Sequence, residues 1–278
     1  LEIFNTPKGF EKGVKDAQRL QGYGIANRIL DKKDLGQYTR GLRINAVGGV
    51  YFSADAHLIP DRFVTRLARY LEKMGVELLT SVEVIGFKTS GRTVTAVETT
   101  RGDISVDEVI MAGGSCTPKL ARELRIKLLM EPAKGYSVTF KRPSGCPSLP
   151  CSMAEARVVM TPMDDMVRFA GTLELVGCDL SIDRRRLSAI LSAVPAYMPD
   201  FNPAALDLIE IWRGLRPCSP DGLPYIGRPR RYDNIIVATG HGMKGISLAP
   251  ITGKIVSQLA VNRTPAIDTT VLNLERFD

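Results

Sequence analysis

The stretch "NIIVATGHGMKGISLAP", residues 234–250, constrains this chain more than any other. A short apolar strand runs into Gly240-x-Gly242-x-x-Gly245, and a helical pattern follows. In a dinucleotide fingerprint the first glycine allows a tight turn, the second lets backbone approach a pyrophosphate, and the third lets helix pack on strand. That fingerprint also needs a second parallel strand, with an acidic residue about 20 positions on. Here the helix runs through "ITGKIVSQLAVN" and is followed by "RTPAIDTTVLNLERFD". Asp268 stands at a suitable distance, but it follows Thr264-Pro265 rather than a strand. The ordinary dinucleotide reading therefore lacks its βαβ unit. The turn still delivers backbone N–H groups and a positive helix end to something.

The rest of the sequence narrows what that can be. The 278 residues are 44% hydrophobic and 24% charged, with a mean hydropathy of −0.01. That is a globular composition, large enough for one big domain or two ordinary ones. No run approaches the roughly 18 apolar residues of a membrane span. No signal peptide is visible, and the start "LEIF" without methionine leads us to expect a piece of a longer protein. Five cysteines without a framework spacing point to a reducing, cytoplasmic setting. Cys146 and Cys151 have no second pair to complete a zinc site, and two histidines are too few for a metal cluster, so no metal is expected. The net charge of +7 is concentrated at Arg184–Arg186 and Arg228–Arg231. Neither cluster is interleaved with stacking aromatics, so solvated surface is expected rather than nucleic-acid binding.

Periodicity predicts two textures. "LDKKDLGQY" reads as a short helix, "AVGGVYF" as a strand and "DRFVTRLARYLEKMG" as a helix. The last has Asp61 as its expected cap, an apolar stripe of Phe63, Val64, Leu67, Leu71 and Met74, and Gly75 at its end. "VELL", "VEVIGFKT", "TVTAVETT" and "DISVDEVIMAGG" read as strands, and Thr117-Pro118 as the cap and first position of a short helix. From about residue 131, "KGYSVTF", "RVVMTP" and "MVRFAGTLEL" read as an antiparallel sheet, followed by the helix "DRRRLSAILSAVPAYMP". Near residue 214 the α/β texture returns. The expectation is an α/β layer over 53–130 and 214–278, and an antiparallel sheet with helices over 1–52 and 131–213.

"WRGLRPCSPDGLPYIG" and "VATGHGMKGISLAPITGKIVSQL" together resemble the C-terminal signature of the D-amino acid oxidase-like flavoproteins. "GGVYFSADAHLIPDRF", "VIMAGGSCTPKL" and "VRFAGTLELVG" match in the family's order. The branches most resembled are the bacterial D-amino acid dehydrogenases of the small-subunit type and glycine oxidase. The resemblance covers essentially the whole chain and corresponds to the last two thirds of such an enzyme. It implies α/β plus α+β architecture: part of an FAD-binding Rossmann-like domain, without its N-terminal ADP-binding unit, and an antiparallel-sheet substrate domain.

What the family does then supplies expectations for single residues. FAD is the implied cofactor, bound weakly or not at all by this piece alone. The turn of Gly240, His241, Gly242, Met243, Lys244, Gly245, Ile246 and Ser247 is implied to face the isoalloxazine ring, where a helix N-terminus steadies the negative charge of the reduced flavin. Arg216, in "GLRP", is implied to bind the substrate carboxylate, for which a guanidinium fork is suited. Met243 occupies a position where the oxidase branch often carries a second arginine, so the site looks more like that of the dehydrogenases, which pass electrons to a quinone. Oxygen-using glycine or sarcosine oxidation, or a non-catalytic binding fragment, are the alternatives. Val82 matches a position whose backbone contacts the adenine half of FAD, or is a core valine. His241 addresses the flavin or the turn. His57 lies near the flavin or fixes a loop. Tyr51, Tyr136 and Tyr225 are pocket lids or core, while Trp212 is read as packing and Asp221 as a turn residue. The implied reaction is hydride transfer from an amino acid Cα to flavin N5, without an evident general base, at an enzyme that allows peripheral membrane association.

Overall fold

The computed structural model describes residues 1–39 and 42–278. Strand β1 (Glu2–Phe4) leads to α1 (Pro7–Gly22), β2 (Asn27–Asp31), α2 (Lys32–Tyr38), β3 (Gly48–Phe52) and α3 (Pro60–Lys73). Then come β4 (Val84–Ser90), β5 (Thr93–Thr99), β6 (Gly102–Ser105), β7 (Val109–Met111) and α4 (Thr117–Glu123). They are followed by β8 (Glu131–Lys141), β9 (Cys151–Met153), β10 (Val158–Met163), β11 (Met166–Leu175), α5 (Arg184–Tyr197) and β12 (Leu208–Cys218). The chain closes with β13 (Tyr225–Gly227), β14 (Ile235–Thr239) and α6 (Gly245–Ala260).

Two compact units emerge, both discontinuous in sequence. The first comprises 1–76, 135–173 and 181–214, the second 77–134, 174–180 and 215–278. Residues 53–76, expected with the α/β layer, group with the first unit instead. The ties that hold them are local to that unit: Arg62 pairs with Asp164, and His57 Nε2 lies 3.0 Å from the Pro162 carbonyl.

The first unit is built on an eight-stranded sheet of order β12-β8-β11-β10-β9-β1-β3-β2. The hairpin β10–β11 pairs Met160 with Phe169. Both side chains are fully buried, with Val167, Ile190 and Tyr197, in one core. Each such side chain contributes about 1.5–3 kcal/mol. The helices start where local chemistry places them. Thr6 caps α1 by accepting from Gly9 N, with Pro7 in the first turn, and Asp183 caps α5 by accepting from Arg185 N.

The second unit holds two three-stranded sheets, β13-β14-β7 and β4-β5-β6. β14 runs parallel to β7 and antiparallel to β13, with Ile235, Ile236 and Val237 fully buried. Asn234 anchors that strand. Its Oδ1 accepts from Val94 N at 2.8 Å, and its Nδ2 donates to Val94 O at 2.8 Å and Asp107 O at 3.0 Å. A buried amide so fully paired is stable and fixes the strand's depth.

Four local expectations are corrected. "VELL" forms no strand, because a strand exists only where a ladder partner does, and residues 76–79 have none among those described. Asp61 lies inside the first turn of α3; the cap position is Ile59, followed by Pro60. Thr117 is likewise already helical in α4, because a 3₁₀ turn over Gly114–Cys116 brings the chain in preformed. "DISVDEVIM" is two strands, β6 and β7, interrupted at 106–108.

Candidate functional site

The site residues lie in the second unit, where the end of β12 is fastened to the turn after β14. Gly242 N donates to Pro217 O at 2.9 Å, and Cys218 and His241 form an isolated antiparallel bridge. The Gly114–Cys116 turn holds both: Ser115 Oγ donates to Leu215 O at 3.3 Å, and Thr239 Oγ1 to Gly114 O at 3.1 Å. Arg216 is therefore held close to the glycine turn by backbone on either side of it.

Arg216 is half-buried, and its Nη1 is shielded from solvent without a hydrogen-bond partner. Burial pushes the guanidinium pKa below its ordinary value, with the nearby Cys218 thiol acting in the opposite direction. An arginine cannot escape this by losing its proton. A buried, charged, unmatched N–H group is matched by an incoming anion, and a carboxylate suits it best.

The turn has the shape the glycines allow. Gly240 has φ +81° and Gly242 φ +53°, both in the left-handed region. A Cβ on Gly240 would also stand 3.1 Å from Tyr225 Cδ2. The helix α6 then starts at Gly245 with Lys244 in the cap position and no side chain capping it. The first N–H groups of a helix have no partner within it. Here no side chain of the cap takes them up, and a lysine at the positive end of the dipole favours an anion there. Met243 is 75% exposed and Ile246 43%. Lys244 and Ser247 are exposed as well, while His241, Gly242 and Gly245 are half-buried. Bare amides flanked by exposed apolar side chains fit one edge of a flat, electron-accepting ring. The residues present thus fit the isoalloxazine end of FAD.

His241 belongs to the scaffold of this turn. Its Nε2 lies 3.0 Å from Thr252 Oγ1 on α6, and burial lowers its pKa. Val82 stands in a different setting, lining an open apolar depression of about 340 Å³ with Leu79, Val84, Val97, Ile104 and Ile110, none of them from the turn. Asp268 is used by its own loop, accepting from Thr270 N and Oγ1. Tyr136 and Tyr225 are buried, with hydroxyls donating to Ser181 O and Leu129 O, so neither is a lid. Tyr51 packs on Tyr38 at 4.7 Å between ring centroids. Trp212 is 51% exposed, its ring lying over Gly214, where a Cβ would meet it at 2.1 Å.

A match to the family model described as FAD dependent oxidoreductase (DAO) extends over residues 1–259. The chain belongs to this family. It is 32% identical over 288 residues to a D-amino acid dehydrogenase of Granulibacter bethesdensis, covering all of this chain and 67% of that protein. A D-amino acid dehydrogenase of Helicobacter pylori is 34% identical over 261 residues, covering 94% of this chain and 62% of the relative. The chain thus spans about two thirds of the length of these DAO relatives. Among solved structures, glycine oxidase from Geobacillus kaustophilus superposes with a TM-score of 0.92 at 22% identity, over 100% of this chain and 74% of the other. L-proline dehydrogenase from P. horikoshii gives 0.85 at 18%, over 99% and 75%. These two show the shared mixed α/β fold.

Sequence reasoning missed the contacts that support these candidate residues. Arg276 grips Asp221 through Nε at 2.8 Å and Nη2 at 2.9 Å, and its guanidinium lies 3.9 Å over the Tyr225 ring. Asp221 is consequently held far below the usual carboxylate range, by hydrogen bonds from Arg276 first. The pair pins the loop between β12 and β13. The only sequence signal was an arginine between Glu275 and Phe277 in a polar tail. Lys134 was also missed. It is 2% exposed, its Nζ 2.7 Å from Asp179 Oδ2 and 3.5 Å from Glu174 Oε2, which holds 174–180 in the second unit. Among the described residues no helix is long and apolar enough to cross a membrane, and no His/Cys/Asp/Glu group could hold a metal.

Proposed function

We propose that this chain carries the substrate-carboxylate and flavin-edge part of an FAD-dependent amino acid dehydrogenase, acting on D-amino acids. The observation that carries it is Arg216 Nη1, buried and unmatched, fastened through Pro217 to the turn at Gly242. The relatives, both D-amino acid dehydrogenases, support the substrate class. The antiparallel sheet would serve the substrate and the second unit the cofactor.

Arg216 takes the carboxylate of the amino acid and fixes its orientation. The amides at the start of α6 present a fixed positive potential beside it, which needs no reorganisation as charge develops. Bound FAD would supply the electron-accepting group. Burial disfavours the charged form of His241 and its Nε2 faces Thr252 Oγ1 at 3.0 Å, so its role here is to hold the turn. In the proposed reaction the amine enters unprotonated, its proton left to water. Met243 in place of a second cation supports a quinone as final acceptor, in a protein associated peripherally with a membrane.

The test uses a protein of the relatives' full length, assayed with a panel of D- and L-amino acids against a soluble quinone and against oxygen. D-amino acid-dependent quinone reduction is expected. Hydrogen peroxide formation without quinone reduction would transfer the protein to the oxidases, and flavin binding without turnover of any amine would overturn the reading.

A further inference from the structure

We propose that Cys218 forms a wall of the anion subsite at Arg216, so that it decides which carboxylates fit there and is the thiol that a carboxylate-bearing alkylating agent selects. The inference deepens the reading above and rests on it for the identity of the natural substrate.

The geometry is independent of that reading. Arg216 and Cys218 are two residues apart on β12, and side chains at that spacing share a face of a strand. Cys218 is also the residue of β12 that bridges to His241. Its Sγ is the nearest atom to the position a Cβ on Gly242 would take, at 4.0 Å. The thiol therefore shares a strand face with the guanidinium and lies against the glycine turn. It is half-buried, unlike Cys116 and Cys178, which are exposed, and it is not in a disulfide. Electrostatics agree with the geometry: burial raises the thiol's pKa, and Arg216 is the group that draws it back down. Arg216 has an unmatched N–H group and Cys218 a free sulfur. A two-carbon acid with a leaving group at its α-carbon offers a carboxylate to the guanidinium and an electrophilic carbon to the sulfur.

The covalent step is a displacement. The Cys218 thiol gives its proton to solvent, the thiolate attacks the methylene of iodoacetate, a C–S bond forms and iodide leaves. No oxidant or reductant is involved. Ordinary thiolates react faster with the neutral amide than with the like-charged acid, so an iodoacetate-to-iodoacetamide ratio raised above that of the control cysteines isolates recruitment by charge.

The experiment treats the 278-residue chain with each reagent at mildly alkaline pH and follows every cysteine by peptide mass spectrometry. Cys116 and Cys178 serve as controls within the same molecule. The iodoacetate-to-iodoacetamide rate ratio at Cys218 is expected to exceed that at Cys178 by about 10-fold or more, the range for a focused charge in a cleft. Propionate should protect Cys218 and propionamide should not. Arg216→Gln should bring the ratio down to the control value; both rates fall as the thiol loses the guanidinium that lowers its pKa, so the ratio and not either rate is what is read. An unbiased ratio, a bias that survives Arg216→Gln, or a Cys218 inert to both reagents would each overturn the proposal. None of these outcomes depends on amino acid turnover. In a catalytically active full-length protein, Cys218→Leu should then raise KM for larger α-substituted acids more than for the smallest one, and Cys218→Ser should restore the wild-type order. A uniform fall in kcat with unchanged order would also count against it. If no amine is oxidised but the labelling pattern holds, the function proposed above fails and the subsite stands.

Discussion

The amide of Gly242 donates to the carbonyl of Pro217 at 2.9 Å, so the turn that ends β14 is fastened next to Arg216. Under the proposed function, one backbone contact sets cofactor edge and substrate anchor together. That relationship makes the arginine's role separable from the fold's stability.

Arg216→Ala in the full-length protein should lower kcat/KM by about 30-fold to several thousand-fold, since leaving a buried carboxylate unpaired costs about 2–5 kcal/mol and a decade is about 1.4 kcal/mol. Arg216→Lys should recover part of this, keeping the charge without the fork. Because Nη1 has no partner in the fold, the Ala variant should melt at the wild-type temperature or above. A lower Tm with unchanged kcat/KM per bound flavin would make Arg216 structural instead.

Much of this was legible in advance, for physical reasons that differ by residue. The strand–turn–helix at 235–260 and the helices α2 and α5 are local, set by period, glycine and caps. The roles proposed for Arg216 and the glycine turn rest on family resemblance, since nothing about an isolated arginine in the sequence says that its Nη1 will be buried. The Arg276–Asp221 pair joins residues 55 apart, and the Lys134–Asp179 pair residues 45 apart. No periodicity encodes such contacts. "VELL" failed for the same reason in reverse: its pattern was sound, but a ladder needs a second chain segment.

The apolar stripe of α3 separates pattern from burial. No residue of this helix is buried, with Phe63, Val64 and Leu67 exposed by 41%, 57% and 45%. Leu67→Gln should therefore change the stability of the 278-residue chain by no more than about 0.5 kcal/mol, and should reduce its self-association. Chemical denaturation and light scattering measure the two. A loss above 2 kcal/mol would mean that the stripe is covered within this chain in solution.

Gly240 and Gly253 should respond to alanine in opposite directions. Gly240→Ala places a side chain at φ +81° with its Cβ 3.1 Å from Tyr225. The left-handed conformation alone costs about 1–2 kcal/mol, so Tm should fall and flavin affinity with it. Gly253 lies inside α6 with open space around its Cβ position, and alanine there should stabilise by about 0.5–1 kcal/mol. Thermal melts of both variants, with flavin titration of the first, test the pair.

His241 predicts an acid limb on stability. Burial depresses its folded-state pKa, so the neutral imidazole is what the fold accommodates. Above the unfolded value of about 6.5 the ring is neutral in both states and contributes no pH dependence. As pH falls from there toward the folded value, the unfolded chain takes up the proton first, and stability declines. His241→Gln should flatten this decline, and Thr252→Val should cost about 1 kcal/mol through the lost hydrogen bond. Denaturation at pH 8 and pH 5.5 reads both effects; equal slopes for wild type and His241→Gln would contradict the assignment.

Asp221 predicts a second, more acidic limb. Its carboxylate accepts from both Nε and Nη2 of Arg276 and from Leu223 N at 3.1 Å. Arg276 is 10% exposed at its side chain, and Asp221 29%. The folded-state pKa is depressed, by the Arg276 hydrogen bonds first. The stabilisation is therefore complete above the unfolded value of about 3.9, and it is lost as pH falls through the folded one. Asp221→Asn removes the charge while keeping the shape. It should cost about 1–3 kcal/mol at pH 7, the loss expected when a charged hydrogen bond at a mostly buried guanidinium is weakened. The guanidinium keeps its bonds to the carbonyls of Leu223 and Asn273, which holds the loss below that for a fully orphaned charge. The gap between wild type and Asp221→Asn should stay constant from pH 5 to pH 8 and narrow below about pH 4. Because the pair pins the loop that follows Arg216, the variant should also raise KM for the amino acid more than it lowers kcat. A gap that persists undiminished at pH 2.5 would show that the charge of Asp221 is not what holds this loop.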